Sequence, residues 1–191
     1  QQLADPDRAF DALSRAFHRD SRNEATVGEL ERLVAAQSMW EALVALYSDG
    51  AEATDDDTQG LGLRLKAGAM LMDELGDSER AIAVYVAAYG IDGDNQEVLD
   101  RLHRLYREGE RYEDLLPILR NQADVHSEPV EKITFLLQLA GIAEHGLGQV
   151  ETAYEALLEV LDLDENHDGA IEELQRLCEA DVHRLDIAER L

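Results

Sequence analysis

The stretch DLDENHDG, residues 162–169, places oxygen-bearing side chains at alternate positions. Asp164, Asn166 and Asp168, followed by a glycine, match the first half of a calcium-binding loop. The loop template requires a carboxylate at its twelfth position, where two oxygens grip the ion. That position is Gln175, whose amide cannot do so. Two interpretations follow, a partial calcium site at Asp164, Asn166 and Asp168, and a turn between helices that only resembles one.

No other side chains form a known catalytic or metal-binding motif. The histidines are His18, His103, His126, His145, His167 and His183. They form no His-Glu-x-x-His pattern, and the sequence contains no phosphate-binding glycine loop and no G-x-S-x-G. The single cysteine, Cys178, excludes an internal disulfide. We therefore predict a protein that is not an enzyme and that uses no cofactor.

The charge of the chain is strongly negative. Lys and Arg number 17 against 42 Asp and Glu, giving a formal net charge of -25 over 191 residues. This field repels nucleic acid and anionic membrane surfaces, so neither is an expected partner. The acidity is spread along the chain, which fits either a solvated surface in a salt-rich setting or a basic partner. With no long apolar run, we expect no membrane insertion and a cytoplasmic segment, the periplasm staying open.

An internal repeat organises the chain. The offset that brings Leu3 onto Leu75, and Leu75 onto Leu147, aligns three stretches of the sequence without a gap. Positions with one residue type in all copies are Leu3/Leu75/Leu147, Ala9/Ala81/Ala153, Asp20/Asp92/Asp164, Leu30/Leu102/Leu174, Arg32/Arg104/Arg176 and Leu33/Leu105/Leu177. Apolar residues recur within each copy at helix spacing. The pattern predicts an all-α fold with a 72-residue repeat.

Short polar breaks divide each copy into four helices, or two helical hairpins. The breaks are GDS at 76–78, DGDN at 92–95 and REGER at 107–111. Gly76, Gly109 and Gly148 are expected to end helices in the left-handed conformation. The segments that begin at Asp49 and Asp124, DGAEATDDDTQG and DVHSEPVEK, are predicted to be longer linkers.

Several repeated side chains have two interpretations. Arg32, Arg104 and Arg176 form either a ligand-binding ladder or ion pairs between stacked hairpins. Cys178 aligns with Val34 and Tyr106, which predicts a core position and not a nucleophile. The aromatic residues at helical spacing are also predicted to lie in the core. They are Trp40, Tyr47, Tyr85, Tyr89, Tyr106 and Tyr112.

The hairpins resemble the tetratricopeptide repeat (TPR) family, whose period is about 34 residues. Residues 75–92, LGDSERAIAVYVAAYGID, are similar to its G-D-x-x-x-A signature, with the alanine at Ala81. The motifs W-E-x-L at 40–43 and Y-E-x-L at 112–115 resemble repeats of large bacterial proteins of this family, delta-proteobacterial ones included. The resemblance implies a right-handed α-solenoid of stacked antiparallel hairpins, with residues 1–191 as one domain of about five hairpins.

The resemblance also implies a binding surface. In the family, the first helix of each hairpin lines a concave groove that holds a peptide or protein partner. The corresponding positions here, called the groove positions below, are Glu31, Lys66, Met70, His103, Arg107, Gln138, Ile142, Gln175 and Glu179. We therefore expect a scaffold or protein-interaction module for a polar or basic peptide. The alternatives are a regulatory or sensory segment that responds to a small ligand or Ca²⁺, and a structural spacer.

Both ends cut through the repeat. Leu3 aligns with Leu75 at the close of a helix, and Leu191 aligns with Tyr47 and Leu119, where the other copies continue. A solenoid normally ends in a polar-faced cap, and the sequence offers none. We therefore expect a segment of a longer protein, and we expect its exposed ends to permit self-association.

Overall fold

Ten helices in succession make up the described part of the chain. A computed structural model describes the backbone of residues 5–188 and the side chains of residues 5–179. The helices are α1 Pro6–Arg19, α2 Glu24–Gln37, α3 Trp40–Ala53, α4 Asp57–Asp73, α5 Ser78–Tyr89, α6 Gln96–Glu108, α7 Tyr112–Val125, α8 Pro129–Gly141, α9 Val150–Leu163 and α10 Asp168–Ala188. A single π-helical segment, Ile142–Gly146, continues α8. Within these residues there is no strand, and no helix is long and apolar enough to cross a bilayer.

The chain divides into two compact units, residues 1–93 and 94–191. The first unit holds α1 to α5, and the second holds α6 to α10. Within each unit, helices that follow one another in the chain pack together, joined by short turns. The predicted all-α fold, in which helices pack against their neighbours in the chain, is confirmed. The prediction of one domain stays a prediction. The predicted cuts through the repeat at Leu3 and Leu191 lie outside the described residues.

Helix starts reproduce the sequence repeat to the residue. Starts that occupy the same position in different copies are Pro6/Ser78/Val150, Glu24/Gln96/Asp168, Trp40/Tyr112 and Asp57/Pro129. Four helices therefore fill each of the first two copies of the repeat, as predicted, and the third copy holds α9 and α10. The period follows from the chemistry of the turns, which recurs at the same spacing.

A polar side chain caps the start of the equivalent helix in each copy, α2, α6 or α10. The Asn23 side chain accepts a hydrogen bond from the Thr26 N–H at 3.0 Å, and Asn95 accepts one from the Val98 N–H at 3.2 Å. Such caps satisfy backbone donors that the first helical turn leaves unpaired. In the third copy the cap is His167, whose Nδ1 accepts from the Ala170 N–H at 3.2 Å. The DLDENHDG stretch is therefore the third example of one inter-helix turn.

Left-handed residues mark the other turns. Gly76 and Gly148 have φ of 64° and 67°, as expected for glycines that end helices. Gly109 ends α6 as expected, but the left-handed conformation expected there is wrong, because its φ is -85°. The left-handed residue in that turn is Glu110, at φ 53°, and its counterpart in the preceding copy, Ser38, has φ 56°. The repeat fixes the backbone shape here, although neither residue is glycine.

The two long linkers predicted from Asp49 and Asp124 are wrong. Helix α3 continues to Ala53 and α7 continues to Val125, so that only three residues, 54–56 and 126–128, connect each pair of helices. The acidic residues 55–57 resemble a linker in composition, but they lie at the start of α4. Asp56 caps α4 by accepting from the Gln59 N–H at 2.9 Å.

Buried side chains line the interior of each unit at the predicted helical spacing. In the first unit Phe17, Leu30, Leu43 and Tyr47 are fully buried, and Phe17 reaches close to Gly50. In the second unit the large fully buried side chains are Leu99, Leu102, Leu115, Leu119, Gln122 and Leu139. Of the aromatic residues, Tyr47, Tyr85 and Tyr106 are buried, and Trp40, Tyr89 and Tyr112 are half-buried.

Cys178 does not lie in the core, contrary to the prediction. Its counterparts Val34 and Tyr106 are buried, but Cys178 is exposed on α10. In the first two copies the helix that follows, α3 or α7, packs against the equivalent helix. Within the described residues no such following helix packs against α10.

Candidate functional site

The groove positions all retain contact with solvent. Lys66, Arg107, Gln175 and Glu179 are exposed, and the other five are partly exposed. They sit on α2, α4, α6, α8 with its π-helical extension, and α10, which are the first helices of their hairpins. Met70 also packs against the core of the first unit. Each unit presents its own subset, three positions in the first and six in the second.

In the first unit the groove positions Glu31 and Lys66 form an ion pair. Lys66 Nζ lies 2.9 Å from Glu31 Oε1, and the Tyr47 hydroxyl donates to the same oxygen at 2.8 Å. The Lys66 ammonium also lies 5.5 Å from the centre of the Tyr47 ring. Burial and the neighbouring Glu31 carboxylate raise the pKa of Tyr47. The Glu31 oxygen Oε1 thus joins these three side chains in one contact network.

In the second unit the groove position His103 contacts a buried amide. Gln122 of α7 is 1% exposed and is the one polar side chain buried among the described residues. Its nitrogen donates to Asp100 Oδ1 at 3.0 Å, and its oxygen lies 2.8 Å from His103 Nδ1. Because a carboxylate only accepts, the Asp100 contact fixes the orientation of the amide. The amide oxygen in turn requires His103 to carry a proton on Nδ1.

Two further aromatic side chains, Phe135 and His126, lie near His103 and Gln122. The Phe135 ring lies 6.2 Å from His103 and 5.0 Å from His126, between centroids. The His126 ring nitrogen Nδ1 lies 2.7 Å from the Gln122 backbone oxygen. Burial lowers the pKa of His103 below 6.5, although hydrogen bonds to Gln122 and Gln138 act in the opposite direction. The lowered pKa favours the neutral form of His103, and the Gln122 contact selects the tautomer with the proton on Nδ1.

The structure brings together two pairs of predicted groove positions. Glu31 contacts Lys66, and His103 hydrogen bonds with Gln138, which are the same two repeat positions in successive copies. Ile142 opens the π-helical segment, a feature often found near functional sites, which the sequence did not predict. Gln175 and Glu179 lie exposed on α10 and join neither pair.

The repeated arginines behave differently in the three copies. Arg32 binds Glu29 on its own helix, with Nε 3.0 Å from Oε2. Arg176 binds Glu173 at 2.8 Å and also Glu144 of the π-helical segment. Arg176 thereby lowers the pKa of Glu144. Arg104, in contrast, forms no ion pair or hydrogen bond within the described part of the chain.

The calcium candidate has the contacts of a turn. Asp164 Oδ1 accepts from the Asn166 N–H at 3.2 Å, as Asp20 Oδ1 does from the Arg22 N–H at 3.2 Å in the first copy. Asp168 begins α10. Among the described residues no group of three or more His, Cys, Asp and Glu side chains is placed to hold a metal ion. The contacts thus support the interpretation as a turn.

The role of Gln122, which contacts the groove position His103, was not predicted from the sequence. Gln122 continues the apolar stripe of α7 that includes Leu115, Ile118 and Leu119. A polar residue at such a position signals a buried hydrogen-bond network. Its counterpart in the preceding copy is Gly50, so the repeat comparison concealed the signal.

Comparison with known proteins supplies no family for this chain. No family model matches it, and no curated protein matches it either. Among solved structures it is similar to the one described as "MamA RS-1 ArsTM double mutant", at 20% identity and a TM-score of 0.44, over 95% of this chain and 89% of that chain. The evidence for the fold is this chain's own helices, turns and repeat period.

Proposed function

We propose that this chain is a non-catalytic protein-interaction or scaffold module that binds a peptide or protein partner through the groove positions. One observation carries the proposal. Every groove position keeps contact with solvent, while other residues of the same helices, such as Leu30, Leu63 and Leu102, are buried. The helices thus combine a packed side with an accessible polar side, which is the arrangement that a binding surface requires.

The partner that best fits the surface is a polar peptide with net positive charge. The formal charge of -25 attracts a basic partner over several ångströms and raises its association rate. The groove positions are of mixed charge with few aromatic rings, which favours hydrogen bonds and ion pairs over apolar anchors. Membership of the TPR family, a bacterial origin and a cytoplasmic location remain part of this proposal.

A second candidate is a small-ligand sensor in the first unit. A polar cavity of about 460 Å³ lies between the α1–α2 turn and the ends of α3 and α4. Its polar lining residues are His18, Arg19, Asp20, Ser21, Arg22, Thr54 and Gln59. Arg22 pairs with Asp56 and Gln59 with Ser21, so part of this lining is already occupied. That occupation makes the cavity the second choice.

Self-association is a further part of the proposal. Helix α10 exposes Cys178 at a position that is buried in the equivalent helices α2 and α6. A second copy of the chain can cover that face. Light scattering should show an average mass that rises with concentration, and a constant monomer mass would rule this out.

The binding proposal is tested by protein capture from a lysate of the source organism. A variant with Lys66→Ala, Met70→Ala, His103→Ala and Arg107→Ala should lose proteins that the unaltered chain captures. The matched control changes Arg15, Arg19, His18 and Val86 to Ala, which alters the same kinds of side chain on exposed parts of α1 and α5.

The pattern of loss separates the candidates. Capture that survives in the groove variant would support a spacer and contradict the proposal. Capture that is lost only in the control variant would favour the cavity beside His18 and Arg19. Circular dichroism should show full helix content in both variants, because the substituted residues are not fully buried.

A further inference from the structure

The open side of helix α6 carries three arginines, whereas the same positions of the equivalent helices α2 and α10 carry one arginine and two acidic residues each. Four positions on the open side of this helix can be compared across the copies. In α6 they are Arg101, His103, Arg104 and Arg107, in α2 Glu29, Glu31, Arg32 and Ala35, and in α10 Glu173, Gln175, Arg176 and Glu179. In a chain of net charge -25, this local reversal of sign sets α6 apart.

Among the described residues, the reversal leaves two guanidinium groups without partners. In the other copies the acid three residues before the repeated arginine neutralises it, as Glu29 does for Arg32. The position that would neutralise Arg104 is Arg101, which binds Glu97 instead at 3.5 Å. Neither Arg104 nor Arg107 forms an ion pair or a hydrogen bond within the described residues, and both are exposed.

These two arginines face a cavity of about 560 Å³ on α6. Its lining residues are Asp100, His103, Arg104, Arg107 and Glu108. Asp100 is engaged by the buried Gln122 amide, which also fixes the His103 ring. Because Arg104 and Arg107 are three residues apart on one helix, their side chains are neighbours on its surface. Hydrogen bonds to Gln122 thus hold Asp100 and His103 in place, and the guanidinium groups of Arg104 and Arg107 line the same cavity.

We propose that this α6 cavity binds one carboxylate side chain, Asp or Glu, of the peptide that occupies the groove. A guanidinium offers paired N–H donors that match the two oxygens of a carboxylate. The proposal rests on the proposed function and specifies its partner. The peptide is polar or basic overall, as the net charge requires, and carries one acidic residue that sets its position along α6.

The long-range and the local charges have different roles. The summed field of the acidic chain acts over many ångströms and selects the net charge of the partner. The guanidinium groups of Arg104 and Arg107 act at contact distance and select one side chain. Among the described groove positions of the first unit there is no such cation, because Lys66 is already bound to Glu31. The acidic residue is therefore expected to dock only at α6.

The test uses two fluorescein-labelled peptides of ten residues. Both alternate Lys and Ser, and they differ only in a central Glu or a central Gln. Fluorescence anisotropy at about 50 mM salt, where screening is weak, should show tighter binding of the Glu peptide to the unaltered chain. We expect a preference of about threefold to fivefold, the size of an accessible ion pair.

Three variants locate the preference. Arg104→Gln with Arg107→Gln should bind both peptides equally, because the charge is lost while hydrogen-bonding groups remain. Arg101→Glu should also abolish the preference, because it restores the acid that neutralises the repeated arginine in the other copies. Arg32→Gln, at the equivalent position of α2, should keep the full preference.

Two outcomes would overturn this inference. Equal binding of the two peptides by the unaltered chain, or a preference for Glu that survives in the Arg104→Gln/Arg107→Gln variant, would remove the α6 site. Either result would leave the proposed function intact, since a basic peptide still binds. Failure of the proposed function is distinguished by unaltered protein capture in the groove variant described above.

Discussion

Single residues show how two copies of the repeat fill the same space in different ways. Tyr85 is fully buried because its ring lies over Gly68, and a Cβ at Gly68 would come within 2.5 Å of the ring carbon Cζ. The equivalent pair in the next copy is Ala140 with Leu157, both also buried. A larger residue on one helix is thus matched by a smaller one on its neighbour. Sequence comparison showed the positions, but this complementarity depends on packing.

The substitution Gly68→Ala should lower the free energy of unfolding by about 1–3 kcal/mol, because the added methyl group overpacks a filled core. The control is Gly62→Ala on the same helix, where a Cβ would meet nothing within 4 Å. There the gain in helix propensity should raise stability by about 0.5–1 kcal/mol. Urea unfolding measures both, and equal effects would contradict the packing account.

His103 gives a prediction for pH. Its folded-state pKa lies below 6.5 because of burial, whereas the unfolded chain binds the proton at the ordinary value. Falling pH therefore protonates the unfolded chain first. The unaltered protein should lose stability relative to a His103→Gln variant as the pH drops through 6.5.

An NMR titration of the imidazole nitrogens measures the same property directly. The His103 midpoint should lie below 6.5, with the proton on Nδ1 in the neutral form. A midpoint above that value, or a neutral form protonated on Nε2, would show that Gln122 does not hold the ring as described.

At the scale of helices, the turns set the period of the repeat. The sequence predicted a break at residues 92–95, and α6 begins directly after it, at Gln96, with Asn95 as its cap. It did not predict that His167 caps α10, since histidine seldom has that role. It also misread the polar segments after Asp49 and Asp124 as linkers, although only three residues there lie outside helices. Composition alone does not separate a linker from the capped ends of two helices.

The caps give a prediction at this scale. Asn95→Ala should lower the free energy of unfolding by about 1 kcal/mol, because the Val98 N–H loses its acceptor. Asn is a better cap than His, so His167→Asn should raise stability. Gln96→Ala, at the exposed position beside Asn95, is the control and should change little. Thermal or urea unfolding that ranks Gln96→Ala with Asn95→Ala would contradict the role of the cap.

At the scale of the molecule, repetition and charge could be predicted, but the specialisation of one copy could not. The repeat offset predicted the number and order of the helices because the same turns recur in each copy. The groove positions were inferred from the resemblance to the repeat family and stay a prediction. The contacts that distinguish the copies, Glu31 with Lys66 and His103 with Gln122, depend on side chains from different helices. A periodic pattern does not encode such pairs.

The central claim is that the first helices of the hairpins form the binding surface. Hydrogen–deuterium exchange with a captured partner tests this most directly, because it reports protection along the whole chain. The account predicts slower exchange in α2, α4, α6, α8 and α10, with the largest effect in α6, and unchanged exchange in α3, α5, α7 and α9. Protection confined to α3, α5, α7 and α9, or spread equally over all helices, would contradict it.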